Sequence, residues 1–466
     1  MAQISEIAWH DIVKAQRFDA EYFDPECLKI EDAIQNIGST QLAKSNVKLD
    51  CSAFYPSIVP FYNFAGEGVP FLRVNEIQNG LVEIRNDTCF LPKEIVDRYS
   101  SNIATAKAGD LVIAKGGNTL GKVGLLTDQY EDYAVCRDLI IVKTHEAKQL
   151  NIFFLWMFLH SSTGQKHLLR TASQTGQPHL TINKLAKLSI PIFKEQEQFE
   201  EIFKKSESMK SLSMQKFTQA NQLLLQELGL EEYLPEHTLA YEGDFESLLE
   251  DRRMDAEYYQ PKFQVIVEKI KKTKHDTLES LVSYVKKGIE VGSEAYEDEG
   301  KPFIRVSNLS VSGLNDNNQQ TITEELCEEL RDKFEPKKGE VLLSKDGTPG
   351  IAYFVDENVQ GIISGGLLRL KPKKEIEGEY LALVLNSLVV QMQVKRDAGG
   401  AIIVHWRPDQ VKNTLIPILD DGKRTEIVTL MRESAKARKE SIKMLDDAKK
   451  LVETLIEEKA RVGKAV

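Results

Sequence analysis

An internal duplication constrains this chain more than any other feature. Arg17-Phe18-Asp19-Ala20-Glu21-Tyr22-Phe23-Asp24-Pro25 returns as Arg253-Met254-Asp255-Ala256-Glu257-Tyr258-Tyr259-Gln260-Pro261, six identities in nine positions at an offset of 236. Further echoes follow in the same order. Pro70-Phe71-Leu72-Arg73-Val74 matches Pro302-Phe303-Ile304-Arg305-Val306, and Gly109-Asp110-Leu111-Val112-Ile113-Ala114-Lys115 matches Gly339-Glu340-Val341-Leu342-Leu343-Ser344-Lys345. His179 and Ile190-Pro191-Ile192 match His405 and Ile416-Pro417-Ile418, both at an offset of 226. Two copies are too few for a solenoid, which needs about three or more. A period of half the chain means two whole domains of one fold. Such a pair suits a partner that also comes in two halves, and DNA is the obvious candidate.

Length agrees, because 466 residues accommodate roughly two to four domains and the repeat selects two. The five cysteines (Cys27, Cys51, Cys89, Cys136, Cys327) are scattered and include no Cys-x-x-Cys pair. That pattern argues against a disulfide framework or a zinc site and fits a reducing compartment. No basic-then-apolar leader opens the sequence, and runs such as Ile152 to Leu159 fall far short of the roughly 20 residues that span a bilayer. The expectation is a cytoplasmic protein with no membrane partner.

A net charge of -11 argues at first against nucleic acid, because neutralising phosphate takes Lys and Arg. The distribution reverses that inference. Glu195 to Glu250 holds 13 acidic and 4 basic residues, whereas Ser101 to Lys194 holds 11 basic and 6 acidic, and Lys337 to Pro417 holds 11 basic and 9 acidic. Acid is concentrated in one connecting segment, and the domain bodies are mildly basic.

Each half predicts the same succession of elements. A short helix surrounds the Arg-x-Asp-Ala-Glu-Tyr motif, with Pro25 or Pro261 near its end. Strands follow over 71–74, 110–114 and 139–143, mirrored by 303–306, 341–344 and 366–371, with β-branched runs bounded by Gly, Asn and Asp. A helix over 152–169 is mirrored by 379–396, and Ile-Pro-Ile punctuates the end of each globular part. After each Ile-Pro-Ile comes a long helical pattern, from Glu195 to about Leu228 and from Lys423 to about Arg461. In the second, Leu445, Ala448, Val452 and Leu455 follow the 3-4-3 spacing of one helical stripe. Each long helix runs to about 50 Å at 1.5 Å per residue. The simplest arrangement packs them antiparallel against each other; the alternative folds each back on its own domain. The fold class expected is α+β, with two tandem mixed α/β domains joined by two long antiparallel, coiled-coil-like helices. The divisions are 1–193, 194–233, 234–419 and 420–466.

This layout resembles the specificity subunit of type I restriction–modification enzymes over essentially the whole chain. Three features carry the resemblance: the Arg-x-Asp-Ala-Glu-Tyr opening of each half, the Gly-Asp-Leu-Val-Ile-Ala-Lys strand with its glycine turn, and Pro178-His179-Leu180 through Ile190-Pro191-Ile192 into Glu195-Gln196 and a long helix. The second half departs from the pattern, with His405-Trp406-Arg407-Pro408 and Asp420-Asp421-Gly422 in place of His179-Leu180-Thr181-Ile182 and Lys194-Glu195-Gln196. The resemblance implies a non-catalytic subunit whose two target-recognition domains each read half of a bipartite, asymmetric DNA site. Its long helices set the spacing and dock two methyltransferase subunits, with restriction (motor–nuclease) subunits as further partners of such complexes. The competing reading is a two-domain protein-interaction scaffold that does not bind DNA, to which the acidic connecting segment lends support.

No catalytic or metal-binding constellation emerges from the residues. Gly116-Gly117-Asn118-Thr119-Leu120-Gly121-Lys122-Val123 nearly spells a phosphate-binding P-loop, but Val123 has no hydroxyl for magnesium. A tight turn between strands and a DNA-backbone contact by Lys115, Asn118 and Lys122 are the better readings, with Lys345 as the sister lysine. Pro408-Asp409 before Asp421-Gly422-Lys423 imitates a nuclease motif, yet Asp409 is better placed to cap a helix. The chain has no Pro-Pro pair, which the Asn/Asp-Pro-Pro-Tyr/Phe loop of adenine-N6 methyltransferases requires, and no Gly-x-Gly-x-x-Gly turn. Methyl transfer, and the S-adenosylmethionine it consumes, are therefore expected on a partner polypeptide, with no cofactor here. The eight histidines include no His-x-x-x-His pair. The remaining DNA-contact candidates sit in polar strand-end loops. They are Arg73 and Asn75, Arg305 and Ser307, then Gln174, Gln177 and His179 in the loop best suited to pairing with adenine, and Arg396, His405 and Arg407 flanking its counterpart.

Overall fold

A computed structural model describes the chain except residues 1–5, 86, 145–149, 173–177, 244, 252, 317, 400–403 and 464–466. It divides into two compact units, Met1–Ser208 with Glu440–Val466, and Met209–Lys439. Each unit is of mixed helix and strand. Its boundaries fall inside the two long helices, Glu197–Glu227 and Asp421–Gly463, so each unit contains part of both.

In the first unit the strands pair as Lys48–Asp50, Leu139–Lys143, Leu111–Ala114, Val123–Leu125, Leu81–Val82 and Ile77–Gln78 in one sheet. A second sheet runs Phe90–Leu91, Val69–Leu72, Tyr133–Val135 and Thr105–Ala106, its middle pair parallel with Phe71 opposite Ala134. Leu111–Ala114 is buried on both faces, and its unbroken apolar run reflects that. The second unit repeats the frame. Val341–Ser344 lies between Leu367–Pro372 and Ala352–Phe354, and Lys301–Ile304 runs parallel to Ile362–Ile363.

The Arg-x-Asp-Ala-Glu-Tyr segments are clamps rather than helices. Ala20–Phe23 makes a single 3-10 turn. Arg17 pairs with Asp19 and donates to the carbonyls of Arg170 and Thr171 at the end of the helix Ser162–Arg170. Tyr22 is held between two guanidiniums, Arg17 at 4.6 Å and Arg170 at 4.2 Å from its ring centroid. The expectation that Pro25 closes a helix is corrected: it opens Pro25–Ile37, with Asp24 accepting from the Glu26 and Cys27 amides. Pro261 likewise opens Pro261–Lys271. Proline's missing N–H costs nothing in a first helical turn, where that donor has no partner within the helix. Ile-Pro-Ile is also more than punctuation, because Ser189–Pro191 pairs with Ser39–Gln41, and Leu415–Pro417 with His275–Thr277.

The expected helix over 152–169 is two helices, Ile152–His160 and Ser162–Arg170. Ser161 breaks it: its hydroxyl donates to the Phe158 carbonyl and accepts the Gly164 amide. His160, at the end of the first helix, donates from Nδ1 to the Trp156 carbonyl at 2.8 Å. Burial pushes its pKa down to about 4 from an ordinary 6.5, so the folded chain keeps the ring neutral where the unfolded chain protonates it. Its stabilising effect is therefore complete above pH 6.5 and is lost as pH falls from there toward 4. Urea midpoints at pH 7 and pH 5 should show a smaller acid-side loss for His160→Gln than for the parent chain.

Both long helices bury their apolar stripes on the unit bodies. In the first unit Phe203 stacks on Phe153 with centroids 4.7 Å apart, and Ala448, Val452 and Ile456 enter the same core. Ser206 and Ser441 meet there at 2.9 Å, and Lys459 pairs with Glu195 at 2.8 Å. In the second unit Ala220, Leu224 and Leu228 share a core with Ile427 and Val428. Ser213 meets Ser434 at 3.1 Å, and Lys423 reaches Glu227 at 3.1 Å. Within each unit these partners run in opposite senses along the two helices. Within each unit the two helical segments are antiparallel and also lie on that unit's body.

Candidate nucleic-acid interface

The site begins where the buried strand Leu111–Ala114 ends. Lys115 spends both backbone groups on neighbours: its N–H donates to Asp138 O and its carbonyl accepts from Leu180 N–H. Gly116 bridges to His179, and the chain then turns through Gly117–Thr119 and returns as the strand Val123–Leu125. Gly117 has φ +68°, a left-handed conformation that explains glycine at this position. The loop thus joins strand to strand, whereas a P-loop must lead into a helix whose amides cradle phosphate. This rules out the nucleotide-binding reading.

The second unit builds the same loop. Lys345 N–H donates to Gly366 O, its carbonyl accepts from Trp406 N–H, and Gly347 again has φ +68°. The correspondence extends to a buttress behind each loop, with Gln165 donating to Gly121 O and Gln391 to Gly350 O.

The two loops differ in charge. Where the first unit has Gly116 beside His179, the second has Asp346, whose Oδ1 lies 2.8 Å from His405 Nδ1 while Oδ2 takes Lys345. Burial alone would raise the Asp346 pKa, but the hydrogen bonds from Lys345 and His405 hold it below the usual carboxylate value. Among the described residues Lys115 has no ion pair, so its charge is uncompensated where that of Lys345 is neutralised.

Arg73 and Arg305 lie beside these loops. The parallel pairing of Val69–Leu72 with Tyr133–Val135 brings Arg73 to the turn Cys136–Asp138, whose last carbonyl binds Lys115 N–H. In the second unit a Cβ on Gly366 would lie 2.8 Å from Val306 and 3.7 Å from Asp346, so the Arg305 turn and the Lys345 loop meet across that glycine. Arg73 is bound to its own unit: it pairs with buried Glu76 at 3.0 Å and donates to Asp87 O. Arg305 has Asn308 in place of that glutamate, donates to Asn318 O, and has no ion pair among the described residues. Asn75 and Ser307 are exposed on the same turns.

The structure therefore gathers Arg73, Asn75, Lys115, Asn118, Lys122 and His179 along one edge of the first unit. Arg305, Ser307, Lys345, His405 and Arg407 take the equivalent edge of the second. Gln174 and Gln177 lie outside the described residues. Arg396 pairs with Asp397 at 2.7 Å and lies 5.3 Å from the Tyr258 ring centroid, the station of Arg170 over Tyr22. Asp409 does not cap a helix, because the N-cap of Pro408–Asn413 is Arg407, whose N–H donates to Gln410 Oε1. Sequence reading missed Arg137, exposed in the turn between Arg73 and Lys115, which only the strand pairing places at this edge. Among the described residues no group of three or more His, Cys, Asp or Glu side chains could hold a metal ion, and no helix is long and apolar enough to cross a membrane.

No family model matches the sequence, and no curated protein does. Among solved structures the chain is similar to the S subunit of a type I restriction-modification system from M. genitalium, at 14% identity over 92% of this chain and 94% of that one, with a TM-score of 0.33. It is also similar to the HsdS subunit from Thermoanaerobacter tengcongensis, at 14% identity over 91% and 96% of the two chains, TM-score 0.27. A third similar chain comes from work on complex assembly and conformational transition of the type I R-M system. It shows 15% identity over 91% and 97%, TM-score 0.29.

Proposed function

We propose that this chain is the DNA-specificity subunit of a type I restriction–modification complex, reading a bipartite, asymmetric target and performing no chemistry itself. One observation carries the reading. The same three-segment edge is built twice on the same strand frame, with different side chains on each copy. A frame repeated with altered donors and acceptors suits two unlike half-sites, because the major groove presents a distinct pattern for each base pair. Residues 1–193 and 234–419 serve as the two target-recognition domains, with residues 194–233 and 420–466 as the helical spacer between them. Two adenine-N6 methyltransferase subunits, which bring S-adenosylmethionine, and restriction subunits complete the assembly in the cytoplasm.

On the DNA-facing edges Lys115, Asn118, Lys122 and Arg137 meet the backbone in the first unit, while Gln174, Gln177 and His179 read bases. Arg305, Ser307, His405 and Arg407 do so in the second. Binding by the assembled complex should fall steeply with salt, and Lys115→Gln should reduce the slope of log K against log salt by about 1. Arg73→Gln should instead lower stability, because it leaves Glu76 buried without its cation. Gel shifts across a salt series, with thermal melts of both variants, check this. A complex that shifts no DNA at all returns the chain to the scaffold reading.

A further inference from the structure

In the second unit an acid stands on the edge proposed to face DNA. The parallel pairings put Gly365 where the first unit has Arg137. Phe303 lies opposite Ile362 as Phe71 lies opposite Ala134, and Lys345 N–H donates to Gly366 O as Lys115 N–H donates to Asp138 O. Gly365 lacks the left-handed φ that often explains a glycine. Glu290 explains it instead, because its carboxylate occupies the space that a Cβ on Gly365 would take. The strand Val282–Lys287 leads the chain to this place, and Ile289 fixes it there by donating its N–H to Ile363 O and bridging to Ser364. The adjacent Gly366 is the glycine across which the Arg305 turn and the Lys345 loop meet. Glu290 thus lies beside the junction of those two segments.

The fold itself makes little use of this carboxylate. The Glu290 side chain is 73% exposed, and among the described residues its one ion pair is with Lys287, at 3.8 Å and also in solvent. Such a pair contributes little to stability. At a surface that receives DNA, a carboxylate also repels the phosphates and costs affinity. Where Arg137 attracts the backbone in the first unit, Glu290 excludes it at the same station of the second. What a carboxylate can accept from DNA is a base amino group. Cytosine offers its N4 amino group in the major groove, whereas adenine sets the N7 acceptor beside N6 and so repels an anion. We propose that Glu290 is a specificity-determining residue, accepting from the N4 amino group of a cytosine in the half-site read by the second unit. Guanine and thymine present only acceptors and a methyl group there, so the same carboxylate that selects cytosine rejects them. This role rests on the function proposed above and assigns one base pair of the target to one side chain.

The test uses the full chain assembled with the methyltransferase subunits. Methylome sequencing of cells carrying parent or variant reads the motif, and gel shifts with duplexes that hold or lack the motif read affinity. The parent motif should contain one C·G pair that Glu290→Ala releases, its preference for cytosine falling about tenfold while every other position is kept. Glu290→Gln should admit adenine at that pair, since an amide can bond adenine N6 and N7 together. Gly365→Ala keeps the carboxylate but displaces it, and should relax the same pair. On a duplex without the motif Glu290→Ala should bind at least as tightly as the parent, because a repelling charge has gone. A residue that merely held the fold would weaken both complexes and lower the melting temperature. An unchanged motif, relaxation at an A·T pair, or equal loss of methylation at every site with the motif intact would overturn the assignment and leave the proposed function standing. A parent complex that methylates no split motif and shifts no DNA overturns that function and this role together.

Discussion

Lengthening both long helices together, by four residues after Ser208 and four after Lys439, should widen the unread gap in the methylated target by about two base pairs and leave the bases on either side unchanged. Four residues add about 6 Å and roughly one turn, so each apolar stripe nearly returns to its face. Matching is essential. Seven residues separate Ser206 from Ser213 on one helix and Ser434 from Ser441 on the other. Adding to one helix alone makes those intervals unequal, and one unit must then give up its serine pair and the buried stripe beside it. A four-residue insertion in the first helix only should therefore abolish assembly. Matched two-residue insertions, which rotate the stripes by about 200°, should abolish site-specific methylation. Methylome sequencing of cells carrying each variant decides the matter. Altered bases with an unaltered gap would show that the helices do not set the spacing.

Arg369→Met should cost the second unit about 3–5 kcal/mol, a fall of roughly 6–20 °C in melting temperature. Glu340 is wholly buried and takes both Arg369 Nε and Nη2 at 2.8 Å. The Tyr284 hydroxyl donates to it as well, and burial beside that carboxylate pushes the phenol up to about 12. Burial alone would raise the pKa of Glu340, but Arg369 and Tyr284 hold it below its ordinary 4.5. Its contribution is present above pH 4.5 and is lost as pH falls below that. At the same position the first unit has Asp110, which accepts the amides of Lys107 and Thr144. Adding Glu340→Leu to Arg369→Met should recover part of the loss by removing the unpaired charge, though not all, because Tyr284 and the Lys337 amide lose their acceptor. A double variant that melts lower than the single one would contradict this account.

The repeat made the frame legible before any coordinates. Leu111–Ala114, Leu139–Lys143 and Val341–Ser344 fall within a residue of the strands read from β-branched runs. The break at Ser161 was hidden because Ile-Phe-Phe-Leu-Trp-Met-Phe-Leu is buried almost all round and has no polar face to give a period. The clamp role of Arg396 was hidden too, since only the fold brings Tyr258 to it from well over a hundred residues away. Loops were legible as loops. Which of their cations are paired was not: Glu76 and Asp346 stand only three and one residues from Arg73 and Lys345, and the sequence does not display that these neighbours fold onto the cations.

That each unit takes in part of both long helices also bears on how the chain folds during synthesis. The first unit's core includes Ala448, Val452 and Ile456, which leave the ribosome roughly 245 residues after Phe203, some 12–50 s later at about 5–20 residues per second. Throughout that interval Phe153, Phe199 and Phe203 face a groove that nothing made so far can close. The second unit has its whole share of both helices within Met209–Lys439 and can finish first. The unit that emerges first is thus completed last. A slow codon run or a bound chaperone acting within that window would affect the first unit's yield far more than the second's.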